Sequence, residues 1–196
     1  PGTRLAGQGL LRFWGLEVYR ARLWLHPDFQ PAHYAAHPLA LELAYLRDFS
    51  AQDIARRSLK EMQRVGPFTP AQGERWQQAL QAALPDVQAG DRLTGLYQPG
   101  QGVVFQKNGQ QVGAVDDPAF ARLFFGIWLS PQTSEPALRQ ALLADVPNAT
   151  SIEDSVRDAI QRTAGGTYLA LPPDQARDII ESARRTLSPL SPTRQV

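Results

Sequence analysis

Arg12 and Tyr19 stand in the stretch LRFWGLEVYRARLWL, Leu11 to Leu25. A guanidinium keeps its charge throughout the physiological range, and a phenol can donate or accept a proton, so this pair could hold an anion and assist proton transfer. Two readings follow. In one, Arg12 and Tyr19 form a reaction centre; in the other, Trp14, Tyr19 and Trp24 pack while Arg12, Arg20 and Arg22 cover sheet edges and a polar face. The remaining chemistry-bearing residues are sparse. His26, His33 and His37 are the only histidines, and His33 with His37 has the i, i+4 spacing of a two-imidazole metal site on a helix. Pro31 and Pro38 bracket that segment and Asp28 is the one nearby extra ligand, so these read as solvated loop histidines and no metal is expected. No GxSxG elbow occurs, and Ser50 and Ser134 read as helix caps rather than nucleophiles. The glycines of QPGQG and TAGG lie in turns without a strand-to-helix phosphate cradle, so no nucleotide cofactor is expected.

Composition narrows the classes further. The chain has 196 residues, enough for one sizeable core with a short appendage, and its 43% hydrophobic and 20% charged content is that of an ordinary globular protein. Twenty basic against 19 acidic residues give a net charge of +1, so no global field gathers nucleic acid. Arg64, Arg75, Arg92, Arg122 and Arg139 are scattered rather than striped among aromatics, which agrees with that exclusion. The absence of cysteine removes thiol nucleophiles and disulfides. No apolar run reaches the length of a membrane span. The first residue is Pro1, which suggests a processed or trimmed chain, and Asn148 in NAT is a formal glycosylation sequon read as a chance match.

The elements that must position Arg12 and Tyr19 follow from periodicity. Leu5 to Leu25 reads as strand, turn at Gly15, and strand, with Ala21, Leu23 and Leu25 alternating against Arg20, Arg22 and Trp24. A Pro- and His-rich connection leads to Leu39, Leu41, Leu43 and Tyr45 at period two, a further strand. Ser50 opens a helix that runs to Gly66, and Thr69-Pro70 opens a second that ends before Pro85. DRLTGLYQPGQGVVFQKNGQQVGAV gives three strands, with Asn108-Gly109 supplying the tight turn between the last two. Phe120, Leu123, Phe124, Ile127 and Trp128 form a wide apolar helical stripe expected to lie on the sheet, and Ser134 is read as capping a last helix through Leu143. After Asp145 the composition becomes linker-like, which divides the chain into a domain over 1–145 and a linker with helical extension over 146–196.

The joint order of GQGLLRFWGLEVYRARLWL, AGDRLTGLYQPGQGVVFQKNGQQVG and FARLFFGIWLSP resembles the chalcone isomerase family, in its bacterial chalcone-isomerase-like branch, over about residues 5–143. The resemblance implies an α+β fold, an open-faced β-sandwich with a large antiparallel sheet, helices layered on one face, and a cleft between them. In the plant enzymes a strand arginine, a threonine on the next strand, and a tyrosine and an asparagine from the first helix region line that cleft. They promote an intramolecular ring closure in which fixed positive charge stabilises a developing enolate. On this chain the arginine position falls on Leu11, with Arg12 one step on and facing the other way; a bulge at Gly9 or Gly15 would return Arg12 to the cleft. The threonine position falls on Tyr19, the tyrosine on Asp53 or Ile54, and the asparagine near Ser58 to Lys60.

The resemblance therefore implies a small apolar or acyl ligand, bound without catalysis and without a cofactor in a cleft lined by Leu11, Arg12, Tyr19, Asp53, Ile54, Arg57, Phe124 and Trp128. The alternative is an isomerase or intramolecular lyase using Arg12 and Tyr19. A third reading is a scaffold that binds a protein partner through its tail, where residues 151–187 resemble a piece of the cytoplasmic domain of flagellar and type III export gate proteins. Bacterial relatives of this type are commonly exported, so the resemblance implies a periplasmic location.

Overall fold

The computed structural model describes residues 2–146; the chain divides into two units, Pro1–Pro147 and Asn148–Val196, and the described residues fall in the first. The tail resemblance over residues 151–187 lies outside the described residues. Six strands form one antiparallel sheet in sequence order: β1 (Arg4–Phe13), β2 (Leu16–Leu25), β3 (Leu39–Tyr45), β4 (Arg92–Tyr97), β5 (Val103–Lys107) and β6 (Gln110–Val115). The helices are α1 (Ala51–Val65), α2 (Pro70–Ala83), α3 (Pro118–Leu129) and α4 (Pro136–Leu142). A 3-10 segment, Pro31–Ala36, links β2 to β3 and kinks at His33. This is the α+β open sheet with helices on one face that the family resemblance implies, built from the strands and helices that periodicity predicts.

One face of every central strand is hydrocarbon. Tyr19, Ala21, Leu23 and Leu25 of β2 and Leu39, Leu41, Leu43 and Tyr45 of β3 are all buried, and Leu93, Tyr97, Val103 and Phe105 extend the same layer. Helix α3 lies across it: Phe125 packs on Tyr97 with ring centroids 5.6 Å apart, and Phe124 meets Phe105 edge-on at 5.6 Å. Full burial of a large apolar side chain stabilises by about 2 kcal/mol and a hydrogen bond by about 1, so the rings hold α3 more than its polar contacts do. Those contacts set its direction. Asp117 caps α3 by accepting from Ala119 and Phe120, and its second oxygen accepts from the Trp76 indole of α2 at 2.8 Å. Ser50 and Thr69 cap α1 and α2 as their spacing predicts, Thr69 within a full capping box.

Both edges of the sheet are met by helix backbone where a glycine leaves room. A Cβ at Gly7 of β1 would strike the backbone of Ala141 and Leu142, and one at Gly113 of β6 would strike Ala83. Ser134 is a correction to the capping assignment. The cap of α4 is Glu135, with no side-chain bond, and the Ser134 hydroxyl donates instead to Glu61 on α1, 2.6 Å away. The Ser134 hydroxyl gives its proton to that carboxylate, and a charge-assisted bond of this kind is roughly twice as strong as a neutral one.

Candidate functional site

The end of the sheet nearest the first hairpin gathers the polar groups that the core otherwise excludes. Leu11 pairs directly with Tyr19, which pairs in turn with Tyr45. The next position of β1, Arg12, pairs with Glu17, because the β1–β2 register shifts between Leu11 and Arg12 rather than at Gly9 or Gly15. Arg12 makes an ion pair with Glu17 at 3.2 Å, with both side chains well exposed. Leu11 therefore shares the helix-covered face with Tyr19, and Arg12 and Tyr19 are not brought together.

Tyr19 is buried, and its phenol oxygen accepts a hydrogen bond from the Trp128 indole at 2.9 Å. Burial pushes the phenol above its ordinary range, and the Trp128 bond only partly opposes this. Tyr45, packed edge-on against Tyr19 at 5.7 Å, is shifted upward for the same reason. Both phenols stay neutral at physiological pH. Helix α1 supplies the nearest charges. Glu61 is buried along the α1 face that also carries Leu59 and Met62. Its carboxylate meets Arg57 at 3.1 Å, Arg64 at 3.9 Å and the Ser134 hydroxyl. Arg57 in turn lies over the Phe13 ring, 5.0 Å from its centroid, which ties α1 to the end of β1.

The other expected cleft residues divide. Phe124 stacks between Phe120 and Trp128 in the buried layer, and Ile54 packs partly buried on the core. Asp53 faces solvent at the start of α1, where it is paired with Arg56 and bonded to Ser50. The histidines stay apart in function: His26 sits 3.4 Å from Asp28, and His37 packs against the Phe29 ring.

Sequence reasoning missed Glu61 and Ser134, whose side chains meet across 73 positions; the one available signal was a carboxylate four residues after Arg57 on an apolar helix face. It also missed a groove of about 700 Å³ on the opposite, helix-free face of the sheet, lined by Trp24, Ala40, Glu42, Arg92, Thr94 and Gln106. Glu42 is held there by two nitrogens of Arg22, Nε and Nη2, at 3.1 and 2.8 Å, while Arg22 stacks on Trp24.

The order of these elements agrees with a family match: the chalcone isomerase-like family model covers residues 3–144. The chain belongs to the chalcone isomerase-like family. Among curated proteins none matches it. Among solved structures it is similar to the crystal structure of a fatty-acid binding protein of Arabidopsis thaliana, at 12% identity and a TM-score of 0.58, over 72% of this chain and 87% of the other. That likeness is one of fold. The match to the family stops at residue 144, and no comparison supports the export-gate resemblance of the tail.

Proposed function

We propose that this chalcone isomerase-like chain binds a long-chain acyl ligand without transforming it, the apolar chain between the hairpin end of the sheet and α1 and the carboxylate at Arg57. One observation carries the reading: Leu11 occupies the strand position where the plant enzymes place a cationic side chain, and it faces Tyr19. An enolate forming there would meet hydrocarbon and the neutral phenol of Tyr19, whose oxygen accepts from the Trp128 indole. The Arg57 guanidinium of α1 already shares its charge with Glu61. Stabilising the developing negative charge as the plant enzymes do requires preorganised, uncompensated positive charge, and at Leu11 there is none. Holding a hydrocarbon chain requires only apolar walls and one polar anchor. Leu11, Val18 and Ile54 supply partly buried apolar walls at this end of the sheet, and the fatty-acid binding neighbour supports the same ligand class.

Titration of the protein with a fluorescent long-chain fatty acid, and with the matching fatty alcohol, tests this reading. The acid is expected to bind one per chain, and Arg57→Ala to weaken it by about tenfold, the worth of one charge-assisted hydrogen bond, while leaving the alcohol unchanged. Absence of saturable binding would overturn the proposal. Turnover of a chalcone that Leu11→Ala or Tyr19→Phe abolishes would restore the isomerase reading instead.

A further inference from the structure

The first hairpin ends in Phe13, Trp14, Gly15 and Leu16, three large apolar residues exposed around a turn glycine. Trp14 is 88% exposed, Leu16 50% and Phe13 46%. Trp14 also has φ 51 and Gly15 φ 75, so the tip uses two successive left-handed residues, a turn that favours Asn, Asp or Gly at its first position. A bulky residue with positive φ is uncommon because its Cβ crowds the carbonyl, and the conformation costs about 1 kcal/mol. Burial offsets none of that cost. Among the described residues no side chain accepts from the Trp14 indole, and its one ring neighbour is Phe13, edge-on at 6.2 Å. A side chain built at Gly15 would meet nothing within 4 Å, so the tip projects freely.

Behind the tip stand guanidiniums. Arg12 flanks it on β1, Arg47 donates to the Glu17 carbonyl at 3.1 Å, and Arg57 covers Phe13. The acidic groups among them are Glu17 and the recessed Glu61, which leaves the collar cationic. A protruding indole and phenyl backed by arginines match the chemistry of a lipid headgroup region, where aromatic rings take the apolar boundary and guanidiniums the phosphates. A convex tip needs no complementary pocket in a bilayer, whereas a protein partner would have to supply one.

We propose that this hairpin tip docks on anionic lipid bilayers, Trp14 entering the interfacial layer and Arg12 and Arg47 contacting phosphates. The inference builds on the acyl-binding reading in one respect, that Phe13 belongs to the tip and also lies under the proposed anchor Arg57, so an acyl chain leaving the bilayer reaches the cleft without crossing water.

Flotation of the full chain with vesicles of phosphatidylcholine alone, and of phosphatidylcholine with phosphatidylglycerol, tests the docking. The wild type is expected to float with the anionic vesicles. Trp14→Asn, which keeps the turn, should lose about tenfold or more of that partitioning, as expected for withdrawing one large aromatic from an apolar phase, while Trp14→Phe retains most of it. Wild-type protein that stays in the aqueous phase, or Trp14→Asn that floats equally well, would overturn the docking; capture of a protein at the tip without vesicle binding would do the same. Fatty-acid titration of Trp14→Asn in vesicle-free buffer separates the two proposals. Unchanged fatty-acid binding with lost flotation supports docking through the tip, and lost fatty-acid binding in wild-type protein that still floats counts against the cleft alone.

Discussion

The sheet contains two hairpins with the same turn geometry and opposite chemistry. Trp14-Gly15 joins β1 to β2 with φ 51 and 75, and Asn108-Gly109 joins β5 to β6 with φ 50 and 83. At the second tip the Asn108 side chain is tied back to the start of β4 and the residue before it. The Asn108 amide nitrogen donates to Asp91 at 2.9 Å, its carbonyl accepts from the Arg92 backbone at 2.9 Å, and Lys107 meets Asp91 at 3.0 Å. At the first tip the exposed residue makes no such bond. One turn has the residue that its backbone asks for, and the other carries a residue that its backbone tolerates at a cost. The difference separates a residue that the turn favours from one that the turn only tolerates.

The largest way to break the contrast is to write the first tip's chemistry into the second. Asn108→Trp loses two side-chain hydrogen bonds and places a bulky residue in the left-handed region, so it should destabilise by about 2–3 kcal/mol. Denaturant midpoints read this, at unchanged slope. The reverse change is smaller and of opposite sign. Trp14→Asn relieves the left-handed strain and buries nothing less, and should stabilise by up to about 1 kcal/mol. A destabilised Trp14→Asn would mean that the indole supports the fold after all, and the contrast would fail.

These tips also show what the residues alone disclose. Asn108-Gly109 is legible because the turn, its preferred residues and their partners lie close in the chain. The alternation of β2 and β3, the caps Ser50 and Thr69 and the α3 stripe are legible for the same reason: local periodicity reports which face is buried. The strand register at Leu11 was accessible only through the family pattern, since periodicity gives the faces of a strand and leaves open which partner residue lies opposite. Ser134 shows where such reading stops. As a capping residue it satisfies every local rule, yet its hydroxyl goes to Glu61, distant in the chain, because the packing of α1 beside the 130–135 loop brings a buried carboxylate within reach. Contacts of this kind are products of the assembled core and leave no short-range signature.

The smallest effect is a difference in acid response. Asn108, the Gln88 backbone N–H and Lys107 stabilise the charged form of Asp91, in that order, and hold its carboxyl well below the usual value of 3.8, at about 2. A depressed folded-state pKa adds stability that is fully present above the unfolded value and is lost as pH falls through the folded one. The second hairpin's pinning should therefore weaken as pH falls from about 4 to about 2. Denaturant midpoints of the wild type and Asp91→Asn, compared across that range, should converge as the wild type loses its advantage. Trp14→Asn should keep a constant offset from the wild type over the same range, because the Trp14 side chain bonds to no titrating group. Converging Trp14→Asn and wild-type curves would place a titrating contact at the first tip; parallel Asp91→Asn and wild-type curves would show that Asp91 does not pin the second.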